Sequence, residues 1–309
     1  MILNNVLEAV GNTPLVRLNK LTGPDDAEVL VKFEAVNIGG SIKTRSAYHM
    51  IRGARRRGEL TPDSIIVEPT SGNQGIGLAL VGAVLGYRVR LVMPDSVSEE
   101  RRKILAAYGA EVILIHDDGD IGKCIDNCLQ TALQAARDDS NVYVPQQFEN
   151  RDNTDIHRLD TAREILEDVG GPIHGFCSGI GTGGTLTGVG ETLRDQNPDI
   201  LIWAVEPENA AILSGGKIGT HLQMGVGDGL IPDNLNTEIY SEVAIVSDAE
   251  ALQMAKNLAR REGLLCGITG GTNVVAALRM ARRLGRGKTV VTIIPDTGER
   301  YFSTPLYDN

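Results

Sequence analysis

Short runs of β-branched and aliphatic residues recur along this chain with helix-length segments between them, and that alternation constrains the fold more than any other feature. Glu28 to Glu34, Ser64 to Glu68, Arg88 to Met93, Glu111 to Ile115, Gly175 to Ser178, Ile200 to Val205 and Thr289 to Ile294 read as buried strands. Gln74 to Leu85, Ser98 to Tyr108, Asp155 to Val169 and Asp248 to Glu262 read as helices. Strands that alternate with helices form mostly parallel sheets covered on both faces. A chain of 309 residues lies above the usual size of a single core, so one large α/β unit or two lobes is expected. No solenoid-length repeat or low-complexity linker divides it. The polar segment Asn150 to Thr154 is the best candidate for a crossover between lobes.

The net charge of −10 argues against a protein that grips nucleic-acid phosphates or anionic membrane, since both need a basic face. The one basic cluster, Arg52 to Arg57, reads as the solvated face of a helix. The opening MILNNVLEAVGNTP has no basic segment followed by a signal-length apolar run, and the longest apolar stretches are strand-sized. A cytoplasmic location is therefore expected. Four cysteines in a chain this long do not make a disulfide framework. Cys124 and Cys128 lie one helical turn apart, but with His116 alone nearby they read as thiols and not as a metal site.

In parallel α/β folds the chemistry sits in loops at the carboxyl ends of strands, and the glycine-rich segments of this chain fall there. Asn37-Ile38-Gly39-Gly40-Ser41-Ile42-Lys43 joins a strand to a helix that Ser41 can cap, which places Lys43 in the first turn. The helix field there disfavours a cation and eases loss of the proton, as an amine that forms a Schiff base requires. Taken alone, the segment is better read as carrying a solvent-facing lysine. Thr70-Ser71-Gly72-Asn73-Gln74-Gly75 offers hydroxyls, amides and backbone N–H groups at another helix start, suited to a carboxylate or to a plain polar turn. Gly179-Ile180-Gly181-Thr182-Gly183-Gly184-Thr185 reads as a phosphate cup. Its mid-chain position and glycine spacing disfavour a dinucleotide fingerprint. A nucleotide P-loop at Gly287-Lys288-Thr289 fails because Arg282 stands where its first glycine belongs. Pro295-Asp296-Thr297-Gly298 closes the last strand and by itself is a loop after a strand.

Together these segments resemble the cysteine synthase family, O-acetylserine sulfhydrylase and its relatives among the fold-type II pyridoxal phosphate enzymes. The resemblance runs from Gly11-Asn12-Thr13-Pro14-Leu15 to Gly298-Glu299-Arg300-Tyr301-Phe302-Ser303-Thr304. It implies a two-lobed architecture like that of the tryptophan synthase β chain. Residues 13–34 and 47–148 would form a smaller mobile lobe, and residues 1–12, 35–46 and 149–309 a larger cofactor-binding one. It implies pyridoxal phosphate held by Lys43 as the Schiff-base lysine and proton shuttle. Asn73 would bond the cofactor's 3′-oxygen, Gly181, Thr182, Gly183, Gly184 and Thr185 its phosphate, and Thr297 its ring nitrogen. Thr70, Ser71, Gln74 and Gln147 would hold the substrate carboxylate. A hydroxyl partner leaves the ring nitrogen closer to neutral than an acid would, which favours rapid loss of a β-leaving group. Two half-reactions of that kind give ping-pong kinetics. The resemblance further implies a homodimer and an active site able to take the tail of serine acetyltransferase.

Several positions depart from the family's pattern. Ile38 replaces a common proline, Thr44 an aspartate, Gln74 a threonine, and Asp160-Thr161-Ala162-Arg163-Glu164 a Thr-Thr-Gly-Pro-Glu run. In Gly225-Val226-Gly227-Asp228-Gly229, Asp228 stands where cysteine-making members have a small apolar residue. The resemblance places this loop, with Gly227, over the substrate. Asp228 then either adds a base beside the β-carbon or turns outward and caps a tight turn. The first choice is cysteine synthesis from O-acetylserine and sulfide. The alternative is a cysteine-consuming β-replacement that releases hydrogen sulfide and forms serine, lanthionine or cystathionine.

Lys43→Ala is expected to abolish turnover while leaving a folded protein that binds the cofactor weakly. Borohydride reduction followed by peptide mapping checks the attachment, and a reduced cofactor on another lysine overturns it.

Overall fold

The computed structural model describes residues 2–70, 72–97, 99–118 and 121–307. In chain order its strands are β1 (Leu15–Arg17), β2 (Glu28–Phe33), β3 (Ile65–Pro69), β4 (Arg88–Pro94), β5 (Glu111–Ile115), β6 (Val142–Tyr143), β7 (Gly175–Gly179), β8 (Leu201–Pro207), β9 (Glu242–Val246) and β10 (Thr289–Ile294). Its helices are α1 (Lys43–Arg57), α2 (Asn73–Leu85), α3 (Glu99–Ala107), α4 (Ile121–Asp138), α5 (Arg151–Ile156), α6 (Ala162–Val169), α7 (Gly184–Gln196), α8 (Asp248–Asn257) and α9 (Ile268–Leu284). The chain divides into two compact units, Met1–Val10 with Lys43–Asn153, and Gly11–Ile42 with Thr154–Asn309.

The first unit is built on a four-stranded sheet of order β5-β4-β3-β6, parallel throughout. Alternate residues of a strand face opposite sides, so Ile65, Val67 and Val92 pack on Cys128 and Ala132 of α4 while Ile66 is buried in its own right. Helix α2 is apolar or small nearly all round and is buried from Gln74 to Gly82, as such a helix must be. It ends on Gly86, whose left-handed backbone (φ 81°) lets its N–H close onto the Gly82 carbonyl. Helix α1 lies against α2 because Gly77 carries no side chain. A Cβ there would sit 2.9 Å from the Ala47 Cβ and 3.0 Å from the Lys43 carbonyl oxygen.

The second unit holds a six-stranded sheet of order β1-β2-β10-β7-β8-β9, parallel except for the edge strand β1. Its inner strands β2, β10, β7 and β8 are buried on both faces, while the edge strands β1 and β9 keep exposed positions. Val29, Val31, Cys177, Trp203 and Val205 join the core with Ala251 of α8 and Val274 and Ala277 of α9. Leu30, Phe176, Ile202 and Ala204 join the one with Ile165 of α6 and Leu186 and Val189 of α7. The continuous apolar runs seen in the sequence for these inner strands are thus the signature of strands with no wet face.

The position of residues 13–34 corrects the expectation from the sequence. β1 and β2 belong to the second unit, where Glu28–Phe33 runs in parallel register with Thr289–Ile294 of β10. Lys32 anchors the segment there. Its fully buried ammonium lies 3.0 Å from the Glu164 carboxylate, whose other oxygen accepts the Asn12 N–H at 2.9 Å. Residues 1–10 and 43–46 likewise fall in the first unit and not with the second. The helix expected over 155–169 is interrupted by a π-helical turn at His157–Thr161, and α8 also ends in one, at Leu258–Glu262.

Gly77→Val is expected to destabilise the protein by about 1–3 kcal/mol, the usual effect of overpacking a tight contact. A fall in the urea midpoint with an unchanged slope checks this; an unchanged midpoint shows that the two helices part freely.

Candidate active site

In the first unit, the sites of interest cluster at the start of α1 and α2. Lys43 is the first helical residue of α1, so it opens the first turn as expected. The residue before the helix is Ile42, however, and Ser41 forms an isolated β-bridge with Asp296. The Ser46 hydroxyl lies 3.1 Å from the Lys43 carbonyl and 3.0 Å from the Gln74 Oε1, so its single proton is shared between the two helices. Asn73 begins α2 directly after β3 and the turn, in which the Thr70 hydroxyl accepts the Gly72 N–H at 3.3 Å. Ser71 lies outside the described residues. Gln74 is buried, and its Nε2 has no partner among the described residues; nor does the buried Thr44 hydroxyl. An amide donor left unpaired in a dry place is destabilising unless a ligand takes it, and a helix start already favours an anion. Gln147 is also buried, in the loop that follows β6.

In the second unit, β7 delivers the glycine loop. The Gly179 N–H donates to Asn273 Oδ1 at 2.8 Å, and the Ile180 N–H donates to the Val205 carbonyl at 3.0 Å. Gly183 then turns left-handed (φ 78°) into α7. A side chain at Gly181 would collide with the Gly225 carbonyl, and a Cβ at Gly183 would sit 2.8 Å from the Leu235 nitrogen. Two loops thus lie backbone against backbone. The result is a helix N-terminus preceded by glycines, with Thr182 and Thr185 next to them in the chain, which suits a dianionic phosphate. The Thr185 hydroxyl is 3.3 Å from His157 Nε2, and His157 Nδ1 is 3.0 Å from the Thr161 hydroxyl. The π turn therefore sets His157 behind the cradle.

The loop of Gly225, Val226, Gly227, Asp228 and Gly229 rests on this cradle through the Gly227 N–H, which donates to the Ile180 carbonyl at 3.0 Å. Its glycines are all left-handed, with φ of 95°, 70° and 84°. Asp228 Oδ2 lies 3.7 Å from the point a Gly181 Cβ would occupy, so the carboxylate turns toward the glycine loop and not away from it.

The segment after β10 holds the chain that leads to Lys43. The Ile42 N–H donates to the Pro295 carbonyl at 2.8 Å, and the Thr297 N–H donates to the Gly40 carbonyl at 3.2 Å. The buried Arg300 guanidinium donates to the Gly39 carbonyl, and Gly40 (φ 70°) has no room for a side chain beside it. The Cys266 backbone forms an isolated β-bridge with Thr297, and burial raises its thiol well above the ordinary range. All four cysteines are buried and free, and burial pushes Cys177 and Cys128 up to about 12. Sequence reasoning did not find His157, Asn273 or Arg300. Each acts on a backbone or hydroxyl group distant in sequence, and no local motif announces it.

Residues 6–296 match the model of a family described as pyridoxal-phosphate dependent enzyme. The chain is 45% identical over 305 residues to the cysteine synthase of Staphylococcus aureus strain N315, covering 98% of this chain and 97% of that one. Its fold is similar to that of O-ureido-L-serine synthase, with a TM-score of 0.94, 38% identity, and 100% and 96% of the two chains covered. It is also similar to a hydrogen sulfide-producing enzyme from Fusobacterium nucleatum, with a TM-score of 0.91, 37% identity, and 97% and 100% covered. The chain belongs to the pyridoxal-phosphate dependent enzyme family. It is an α/β enzyme of fold type II whose cofactor is pyridoxal phosphate.

Gly181→Ala is expected to lower the cofactor content of the purified protein at least about tenfold, because the new methyl must push the Gly225 carbonyl away. Absorbance of the bound cofactor, set beside an unchanged far-ultraviolet circular dichroism, checks this; full cofactor content shows that the cradle yields.

Proposed function

We propose that this enzyme catalyses β-replacement on a serine-like amino acid and makes cysteine from O-acetylserine and sulfide. The observation that carries the proposal is the glycine cradle at the head of α7, in a chain 45% identical along nearly its whole length to a cysteine synthase. When bound, pyridoxal phosphate supplies the electron sink for loss of a proton from Cα and of a leaving group from Cβ. The residues divide the remaining work. Lys43 anchors the cofactor and moves the Cα proton. Asn73 orients the cofactor's 3′-oxygen, Gly181 through Thr185 take its phosphate, and Thr297 meets its ring nitrogen through a hydroxyl. Thr70, Ser71, Gln74 and Gln147 hold the substrate carboxylate, for which the uncommitted Gln74 amide is a ready donor. With acetate gone from Cβ, sulfide adds in its place. A homodimer in the cytoplasm, with a site that takes the tail of serine acetyltransferase, follows from the family resemblance alone. Among the described residues no helix is long and apolar enough to cross a membrane.

One observation favours a second activity. The Asp228 carboxylate turns toward the glycine loop, with Gly227 fixed beneath it. An ionised carboxylate repels hydrosulfide, but it activates water or orients a second amino acid. Cysteine would then be consumed, with sulfide leaving Cβ and water or an amino-acid thiol adding to it, to give serine, lanthionine or cystathionine.

General-base assistance is worth about 10²–10⁴-fold. Asp228→Asn is therefore expected to depress sulfide release from cysteine by that order and cysteine formation from O-acetylserine far less. Steady-state rates of both reactions check this. An equal fall in both makes Asp228 structural, and a wild type that never consumes cysteine leaves cysteine synthesis as the sole activity.

A further inference from the structure

Glu68 is an acid where an acid is unfavourable. It is the penultimate residue of β3, wholly buried, and its β3–β4 register partner is Leu91. Burial pushes its carboxyl up to about 7, even though two backbone N–H groups pull the other way. Those N–H groups belong to consecutive residues. Gln146 donates to Oε2 at 2.9 Å and Gln147 to Oε1 at 3.0 Å. Successive amides of an extended chain point apart. Here Gln146 is left-handed (φ 54°), a conformation unusual for a residue other than glycine, and that turn brings both N–H groups to one side as a nest for an anion. Glu68 is the anion. The rest of the loop is fastened around the same turn. Asn153 Nδ2 donates to the Gln147 carbonyl at 2.8 Å, and the N–H groups of Glu149 and Asn150 both donate to the Gln146 carbonyl at 3.0 Å. Two residues beyond Glu68 stands Thr70, so one strand end governs both the Thr70 turn and the Gln147 loop.

We propose that Glu68 is a positioning residue for the carboxylate of the amino-acid donor, holding Gln146 and Gln147 so that the Gln147 side chain is presented to it. This rests on the reading of Gln147 as a carboxylate ligand. Glutamine, of the same size, puts an NH2 donor where one of the two accepting oxygens now stands, so the two N–H groups can no longer each meet an oxygen of their own. The carboxylate's position in a dry interior is thus explained by the loop that it shapes.

The test uses the holoenzyme with Glu68→Gln, and with Glu68→Asp in case the first variant folds poorly, since aspartate keeps the charge but withdraws it by one methylene. Misplacement of a binding group by about an ångström costs up to about 100-fold. The KM for O-acetylserine is therefore expected to rise about 10–100-fold, with KM for sulfide and cofactor content unchanged and kcat little affected. Hydrogen exchange at the Gln146 and Gln147 amides, slow in the wild type, is expected to accelerate in the variants. An unchanged donor KM with unchanged amide protection overturns the inference, as does a fall in kcat and cofactor content without a change in donor KM. Gln147→Ala separates the two ways to fail. If it raises the donor KM and the Glu68 variants do not, the inference about Glu68 alone is wrong. If it leaves the donor KM unchanged, Gln147 is no carboxylate ligand and both fall together.

Discussion

The Gly225 carbonyl occupies the space that any side chain at residue 181 would need, and the Leu235 backbone does the same for residue 183. This backbone-to-backbone approach is the constraint on which the second unit's site depends. The two loops touch without side chains between them, which brings the backbone at the head of α7 against that of Gly225 and Leu235. For the same reason the loop that carries Asp228 cannot drift, since the Gly227 N–H is committed to the Ile180 carbonyl. A phosphate cradle and a candidate base are set by one packing relation, which ordinary side chains would destroy.

Both sheets use the parallel strand in the same way. In the first unit β3 runs out into the Thr70 turn and α2, and in the second β7 runs out into the glycine loop and α7. Each strand is buried on both sides and therefore rigid, and the residues just past its end lead directly into a helix start. Where the polar group must be buried, a second polar group is set behind it: Asn273 behind Gly179, His157 behind Thr185, Glu68 behind Gln147.

Much of this was legible in the sequence, for local reasons. The strands at β2, β3, β4, β7, β8 and β10 announce themselves because a strand covered on both faces has to be apolar throughout; β5 reads as a buried strand for the same apolar run, yet it lies at a sheet edge with Glu111 and Leu114 exposed. β1 and β6 are too short to show a period, and β9 has exposed positions that break the run. Assigning residues 13–34 to a lobe was beyond local patterning, because the partner of β2 is β10, near the other end of the chain. Glycine loops were legible because the missing side chain is itself the signal. Arg300 was not, because the Gly39 carbonyl that it holds lies 261 residues away and a backbone oxygen leaves no trace in composition. Nor did the sequence separate the two orientations of Asp228, which depend on the φ values of the glycines around it.

The buried cysteines have a consequence for the redox behaviour of the protein. Thiol–disulfide exchange and persulfide formation proceed through the thiolate and need access to it. Cys177 and Cys128 are held neutral by burial, with thiols pushed up to about 12, and Cys266 is raised further still. A protein that works with sulfide and thiol amino acids thereby keeps its own sulfur out of the chemistry. The hydrophobic core serves as insulation as well as support.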